Sequence, residues 1–438
     1  MRPILQYILT VLARAYLWRY RPQIIAVTGN VGKTSTKEII AAILSGQRRI
    51  RMSGGNLNSD IGVPMTILGD WAGRYYVEGP SLGFWFEVIL GGMLFLVIPH
   101  EYPEILVLEY GADRPGDIAK LASAYKPYIG VVTAIGETPV HVEFFASAQE
   151  LAHEKSKLIR ALDSEGYAVL NYDDQTVLDM REKTKAKIVT FGFGQGADTK
   201  ASNADFILDH QGKPEGIAFK VHSSRGFVPF KMFGSLGNSQ ALATAAAVAV
   251  GTIYNINPVD MAEALAQYQG PPGRMRILPG IKNTVIIDDT YNAAPAAMHL
   301  ALETMRDIPA SPGAQASSIK RKVAVLGDML ELGAHSIPVH QKIGDLAGRV
   351  VDILVCVGEK AKFIADSAGN EMPKEHIFTF HSSDDAKHKI QELLEEGDLV
   401  LVKGSQGMRM EKIVEEIMAE PERKGELLVR QSKKWLNI

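Results

Sequence analysis

The chain has one cysteine in 438 residues, Cys356. No intramolecular disulfide can form, so burial of apolar side chains must hold the fold. The cysteine sits in the apolar run Ile353-Leu-Val-Cys-Val357, which reads as core and fits a reducing, cytoplasmic compartment. Charge of one sign is also missing: the formal net charge is −3, which gives no reason to expect a nucleic-acid partner. Internal repeats and low-complexity tracts are absent. Long apolar runs are scarce. The segment Leu82 to Ile98 carries Glu87 and is unbroken only from Val88 to Ile98, short of the ~20 residues a spanning helix needs. Residues 3 to 18 are amphipathic, are followed by Arg19 and Arg21, and lack the small-residue cleavage site of a signal peptide. Each segment can lie in the interface of a membrane's inner leaflet or pack as an ordinary helix on the protein, and both readings stand.

What is present is globular: 46% hydrophobic and 22% charged residues. The length exceeds one core and implies two or three domains. The chain is organised around Ile24-Ile-Ala-Val-Thr-Gly-Asn-Val-Gly-Lys-Thr-Ser-Thr36. Four apolar residues predict a buried strand, a glycine turn follows, and Lys33-Thr34-Ser35 opens an amphipathic helix running to about Leu44. Strand, glycine loop and helix start in that order make a phosphate cradle from backbone N–H groups and the helix dipole. Gly29, Asn30 and Gly32 would form its turn. Lys33 can reach terminal phosphates, and the Thr34 hydroxyl can hold Mg²⁺, with Ser35 beside it. The pattern is the shorter form, since Val27 stands where the general Walker motif has its first glycine. A nucleotide is expected here.

After a strand at Arg49 to Met52, the loop Gly54-Gly-Asn-Leu-Asn-Ser-Asp-Ile-Gly-Val-Pro64 offers Asn56 and Asn58 to a polar ligand. Ile105-Leu-Val-Leu-Glu109 is an apolar run ending in a carboxylate, the pattern of a buried parallel strand with a functional residue at its C-terminal end. Lys33 and Glu109 flank the apolar insertion at 82–98, so a single membrane pass would separate them. Further strands are expected at Ile129–Thr133, Tyr167–Asn171 and Lys187–Phe191, with a helix from about Ala148. From Ala204 to Phe233 the alternation has period two, predicting antiparallel hairpins at the sheet edge. An alanine-rich helix covers residues 238 to 254, and Pro271-Pro-Gly-Arg274 reads as a hinge. A second strand–helix alternation follows, with strands at Thr284–Asp288, Val323–Leu326, Ile353–Val357 and Leu399–Val402. Ala310 to Ser318 reads as a mobile loop.

With these pieces the chain resembles the Mur ligases, and within them the MurF type. The carriers are Thr28-Gly-Asn-Val-Gly-Lys-Thr-Ser-Thr-Lys-Glu38, Asn56-Leu-Asn-Ser-Asp-Ile-Gly-Val-Pro64, Leu108-Glu-Tyr-Gly-Ala-Asp-Arg-Pro-Gly-Asp-Ile118, Asp288-Asp-Thr-Tyr-Asn-Ala-Ala-Pro295, Val325-Leu-Gly-Asp-Met-Leu-Glu-Leu-Gly333 and Val402-Lys-Gly-Ser-Gln-Gly-Met-Arg-Met-Glu411. The resemblance implies an α/β protein. A central P-loop ATPase domain, a mostly parallel sheet with antiparallel edge hairpins, would span residues 23–272. A smaller Rossmann-like domain would span 273–438, and an apolar, basic helix would occupy 1–22. It implies an ATP-dependent amide-bond ligase working through an acyl phosphate, adding D-Ala-D-Ala to a muramoyl-peptide precursor of peptidoglycan. ATP and two Mg²⁺ ions would serve it, and the protein would be a monomer.

The resemblance also implies roles. Lys33, Glu109, His141, Lys155 and Arg274 would be catalytic. Thr34 and Glu109 would ligate a first Mg²⁺, and His141 with a carbamylated Lys155 a second, Lys157 being a competing candidate for the modified lysine. Asn238, Arg274, Asp289, Tyr291 and Asn292 would contact the nucleotide. Asp328, Met329, Glu331, Lys403, Ser405 and Arg409 would lie near the incoming amine. Two departures stand out. Gly237 replaces the histidine that usually precedes Asn238, and 23 residues precede Ile24 where the family carries a UDP-binding domain. The alternatives are a related ligase with a lipid-linked or other non-UDP acceptor, a polyglutamylating relative, or an inactive ATP-binding scaffold at the membrane.

Overall fold

The computed structural model describes residues 2–136, 145, 147–310, 319–432 and 435. His141 lies outside the described residues, and so do 311–318 of the loop expected at Ala310 to Ser318.

The first sheet has nine strands. β1 (Gln23–Thr28), β2 (Ile50–Met52), β3 (Ile105–Glu109), β4 (Ile129–Val132), β5 (Tyr167–Asn171) and β6 (Lys187–Gly192) are parallel, in the spatial order β2-β3-β1-β4-β5-β6. β7 (Thr199–Leu208) joins β6 in parallel, and β8 (Pro214–Ser223) and β9 (Gly226–Phe233) extend the edge as an antiparallel meander. The period-two stretch therefore forms the expected edge hairpins, beginning a few residues earlier than the alternation suggested. β3 and β4 are buried end to end because helices cover both faces. Successive residues of β1 face opposite cores. Ile25 and Val27 pack with the Asn238–Ile253 helix, while Ile24 and Ala26 pack with Leu106, Leu158 and Ile159.

On the second of these faces lie α1 (Arg2–Tyr20), α3 (Gly62–Leu68) and α5 (Leu82–Val97), while α2 (Lys33–Ser45) covers the first. α1 buries Leu9, Ala13 and Tyr16. α4 (Ala72–Glu78) sits between α3 and α5, and α6 (Asp117–Ala124) and α7 (Ala148–Arg160) follow. Among the described residues no helix is long and apolar enough to cross a membrane.

The second sheet contains β10 (Arg276–Pro279), β11 (Val285–Asp289), β12 (Arg321–Gly327), β13 (Ile353–Val357), β14 (Ile377–Phe380) and β15 (Asp398–Lys403), ordered β10-β11-β15-β12-β13-β14. Only β10 runs antiparallel. The two edge strands, β10 and β14, are absent from the sequence reading. Both are four residues long and half-exposed, so neither carries a continuous apolar run. Gly273 joins the two sheets at φ +69, and a Cβ there would stand 2.9 Å from Tyr291 N, so only glycine fits.

Candidate active site

The loop after β1 is shaped by two glycines with positive φ. Gly29 has φ +146, and a Cβ on it would fall 2.0 Å from Thr133 Oγ1; Gly32 has φ +83 and opens α2. The loop is pinned to the exit of β4: Asn30 N donates to Ala134 O at 2.6 Å, and Asn30 Nδ2 to Ile135 O at 2.6 Å. Lys33 folds back, its Nζ donating to Asn30 O at 3.3 Å. Burial pushes this ammonium below its ordinary pKa, with Glu109 pulling the other way.

Glu109, at the end of β3, is 3% exposed and gathers three side chains. Thr34 Oγ1 donates to its Oε2 at 3.1 Å, and Asn58 Nδ2 donates to Oε1 at 3.0 Å. The fully buried Lys37 ammonium lies 3.8 Å from Oε2 and donates to Gly55 O at 3.2 Å. Burial alone would raise the Glu109 pKa, but Lys37, Lys33, the Asn58 hydrogen bond and Arg274 outweigh it and hold the carboxyl below its usual range. Asn58 thus serves Glu109, whereas Asn56 pairs with the Tyr76 hydroxyl at the mouth of a neighbouring cleft. Lys37 escaped the sequence reading as an individual residue. Its signal is its place four positions after Lys33, on the same helix face.

Lys155 and Lys157 differ sharply. Lys155 is 3% exposed, and its Nζ donates to Gly29 O at 2.9 Å. Burial, and next the charge of Lys33, drives its pKa well below the ordinary value. Lys157 Nζ is paired with Glu154 Oε2 at 2.6 Å, and Glu154 in turn accepts from Gly116 N at 2.9 Å and Ile118 N at 3.0 Å at the start of α6. Lys157 belongs to a structural ion pair. Lys155 is a buried amine facing the phosphate loop.

The second sheet contributes across the joint. Arg274 Nη2 donates to Thr34 Oγ1 at 3.2 Å, and its guanidinium stacks 3.9 Å from the centre of the Tyr291 ring. Asp289 accepts from Met275 N at 3.2 Å and pairs with Lys403 Nζ at 2.6 Å, which also donates to Asn292 O at 2.8 Å. Gly32, Ser35, Arg274, Asp289, Asn292 and Lys403 all line one cleft. Asn238 is exposed at the start of its helix, and the cleft is lined instead by the next two residues, Ser239 and Gln240. Three atoms around this cleft, Asn30 Oδ1, Gln240 Oε1 and Arg274 Nε, are buried without a hydrogen-bond partner. Polar groups left this way mark a place where a ligand supplies the missing bonds.

Most of the other expected residues are occupied by the fold, Arg409 Nη1 being buried without a hydrogen-bond partner. Asp328 Oδ1 accepts from Lys360 N at 2.9 Å and Ala361 N at 2.7 Å, and Ser405 Oγ accepts from Leu330 N at 2.8 Å. Met329 N donates to Nε2 of the buried His340 at 3.0 Å, while Nδ1 of that ring donates to Ser336 O at 2.7 Å. Burial keeps this imidazole neutral, pushing its pKa down. Glu331 turns the chain at φ +62. Arg409 pairs with Glu411 at 2.6 Å and lies 5.4 Å from the Trp435 ring centre. Lys403 alone of this group lines the cleft described above; the hydrogen-bonding atoms of Asp328 and Ser405 hold a turn. Asp288, fully buried, was not anticipated either. It accepts from Gly273 N at 3.1 Å and from the Thr290 hydroxyl at 2.6 Å, fixing the joint, and burial raises its pKa to about 6.

Among the described residues no cluster of three or more histidine, cysteine and carboxylate side chains could hold a metal. A second cleft opens on the other side of Arg274, from Thr34 to Tyr75, Tyr76, Pro271, Tyr291 and Trp435.

Two sheets that meet at Gly273 and together line one cleft define a class. The Mur ligase middle domain matches residues 91–251, and the Mur ligase glutamate ligase domain matches residues 273–406. The chain belongs to the Mur ligase family. Within it the similarity is to the MurF type. The UDP-N-acetylmuramoyl-tripeptide–D-alanyl-D-alanine ligase of Bacillus subtilis is 29% identical over 413 residues, covering 94% of this chain and 79% of that one. The enzyme of the same name from Mycobacterium leprae is 30% identical over 403 residues, covering 87% and 71%. The crystal structure of MurF ligase from Thermotoga maritima in complex with ADP superimposes with a TM-score of 0.75 at 26% identity, covering 96% and 84%.

Proposed function

We propose that this chain is an ATP-dependent carbon–nitrogen ligase that joins D-Ala-D-Ala to the peptide of a muramoyl-peptide precursor of peptidoglycan. The observation that carries the reading is the Arg274–Thr34 hydrogen bond, by which the second sheet reaches the phosphate loop beside Glu109. An acceptor carboxylate oxygen attacks the γ-phosphorus of ATP, ADP leaves, and an acyl phosphate forms. The amine of D-Ala-D-Ala then attacks the acyl carbon, inorganic phosphate leaves, and the ammonium proton passes to solvent. Like charges meet in the first step, so Lys33 and Arg274 take roles on the transferred phosphoryl oxygens. Asp289 and Lys403, paired at 2.6 Å, orient the nucleotide side of the cleft.

The Thr34 hydroxyl and the Glu109 carboxylate are hard oxygen donors suited to Mg²⁺, which when bound supplies charge neutralisation between the two anions. The proposal includes a second Mg²⁺ at His141 and a carbamylated Lys155. Burial lowers the pKa of the Lys155 amine, which favours the neutral form that attacks carbon dioxide, forming an N–C bond and releasing a proton. Lys157 is paired with Glu154 instead. We assign the protein to the cytoplasm as a monomer in peripheral contact with the inner leaflet, with residues 1–22, 23–272 and 273–438 as its three parts.

The test is phosphate release from ATP with a muramoyl tripeptide acceptor, with and without D-Ala-D-Ala. Release that needs both supports the reading; ATP binding with no amine-dependent release would return the chain to the scaffold alternative.

A further inference from the structure

The segment between α3 and β3 has two faces, and together they bear on the acceptor. On the inner side, Tyr75, Tyr76 and Val77 of α4 line the second cleft, which begins at Thr34 and Arg274. Tyr76 is hydrogen-bonded to Asn56, so α4 is seated on the polar loop beside Glu109. On the outer side, α5 presents an apolar stripe, with Leu82 78%, Phe86 66% and Val97 77% exposed and Leu90, Met93 and Leu94 about half exposed. α1 packs beside α5, with Leu12 near Gly92 and the Tyr20 hydroxyl donating to Phe95 O at 2.6 Å. It exposes a stripe of its own: Ile4, Tyr7, Val11 and Trp18.

α4 and α5 are tied together by side-chain contacts. Arg74 bonds Glu78 at 3.0 Å and Glu87 at 2.6 Å, and Tyr75 packs on Phe84 and Trp85 with ring centres 6.0 and 6.2 Å apart. The cleft wall is thus packed on the inner side of the helix whose outer side is the apolar stripe.

Charge selects the occupant of that face. α1 has no acidic residue, and its Arg14 and Arg19, with Arg21 just beyond, are exposed. Glu87, the acid of α5, is paired with Arg74, which also holds Glu78. Apolar stripes flanked by arginines, with a tryptophan at the rim, match an anionic lipid surface.

We infer that α1 and α5 dock on an anionic bilayer and that the acceptor is a lipid-linked muramoyl peptide, which enters the α4-lined cleft from the membrane surface. The inference rests on the ligase reading above and adds the carrier of the acceptor. The muramoyl peptide extends along Tyr75 and Tyr76 toward Thr34 while its lipid stays in the bilayer.

The experiment compares flotation with vesicles of phosphatidylcholine alone and of phosphatidylcholine with phosphatidylglycerol, then measures D-Ala-D-Ala-dependent phosphate release with the same muramoyl tripeptide on a lipid carrier in those vesicles and on soluble UDP. The full chain should float with anionic vesicles and turn over the lipid-linked acceptor at least roughly tenfold more efficiently. The double variant Phe86→Glu/Leu90→Glu should lose flotation and that advantage, while its turnover of the soluble acceptor stays within about twofold. Arg14→Glu/Arg19→Glu, confined to exposed charges, should lose the preference for anionic over neutral vesicles. A full chain that stays unbound, that self-associates through this face, or that uses the soluble acceptor as well as the lipid-linked one would overturn the inference. No amine-dependent release with either carrier would sink the ligase reading itself, and the lipid-linked acceptor with it, whatever the flotation shows.

Discussion

The loop after β1 and the loop after β12 look alike in the sequence. Each follows a buried parallel strand, each is punctuated by glycine, and each carries one of the six motifs on which the resemblance rests. The structure uses them in opposite ways. Around the first, Asn30, Gln240 and Arg274 keep buried polar atoms without partners, and a buried lysine faces a backbone carbonyl. At the second, Asp328, Ser405 and His340 each accept a backbone N–H, so their bonding capacity is spent on a turn. Unsatisfied buried atoms await a ligand; satisfied motif residues build the wall behind it.

That contrast can be broken by experiment. The largest effect should come from Lys33→Ala and Lys155→Ala, each lowering kcat by roughly a thousandfold or more without lowering the unfolding temperature, since each relieves the cost of burying an amine. A short carboxylate such as acetate should partly restore Lys155→Ala. Lys157→Ala should keep turnover within a few-fold and cost at most about 1 kcal/mol. Full activity in Lys155→Ala, seen in steady-state phosphate release, would move the modified lysine elsewhere. Arg274→Ala comes next, with kcat falling roughly a hundredfold or more, while calorimetry still detects nucleotide binding.

Asp328→Ala should show the reverse pattern. Two backbone N–H groups lose their acceptor, so the protein should lose about 1–3 kcal/mol in urea unfolding while kcat at low temperature changes little. A large kcat loss in a protein of normal stability would return Asp328 to the substrate site. The smallest effect concerns pH. Burial raises Asp288 from 3.8 to about 6, so the folded chain binds this proton more tightly than the unfolded one. The contribution to stability is therefore greatest at low pH and is lost as pH rises through about 6. Asp288→Asn should flatten the stability profile between pH 4 and 7; an unchanged slope would assign the titration to another group.

Legibility followed the same physics. β3, β5 and β13 were readable to the residue because both faces are covered and the runs are continuously apolar. The phosphate loop was readable because its two positive-φ positions demand glycine. β10 and β14 were not, being short edges with mixed exposure. Lys37 and Asp288 were hidden because nothing in a sequence shows that a charged side chain will be fully buried against a loop or a joint. Tyr75 and Tyr76 gave no signal at all, since their role comes from where α4 is seated. His141 lies outside the described residues.

The most direct test of the ligase chemistry is isotope transfer. An acceptor labelled with ¹⁸O in its terminal carboxylate is turned over with ATP and D-Ala-D-Ala, and the released phosphate is analysed by mass. Attack of the carboxylate on the γ-phosphorus predicts one ¹⁸O in each phosphate formed. Phosphate without ¹⁸O, its one new oxygen drawn from solvent, would mean that water, not the acceptor, takes the phosphoryl group, and would contradict the assignment of this site to amide-bond formation.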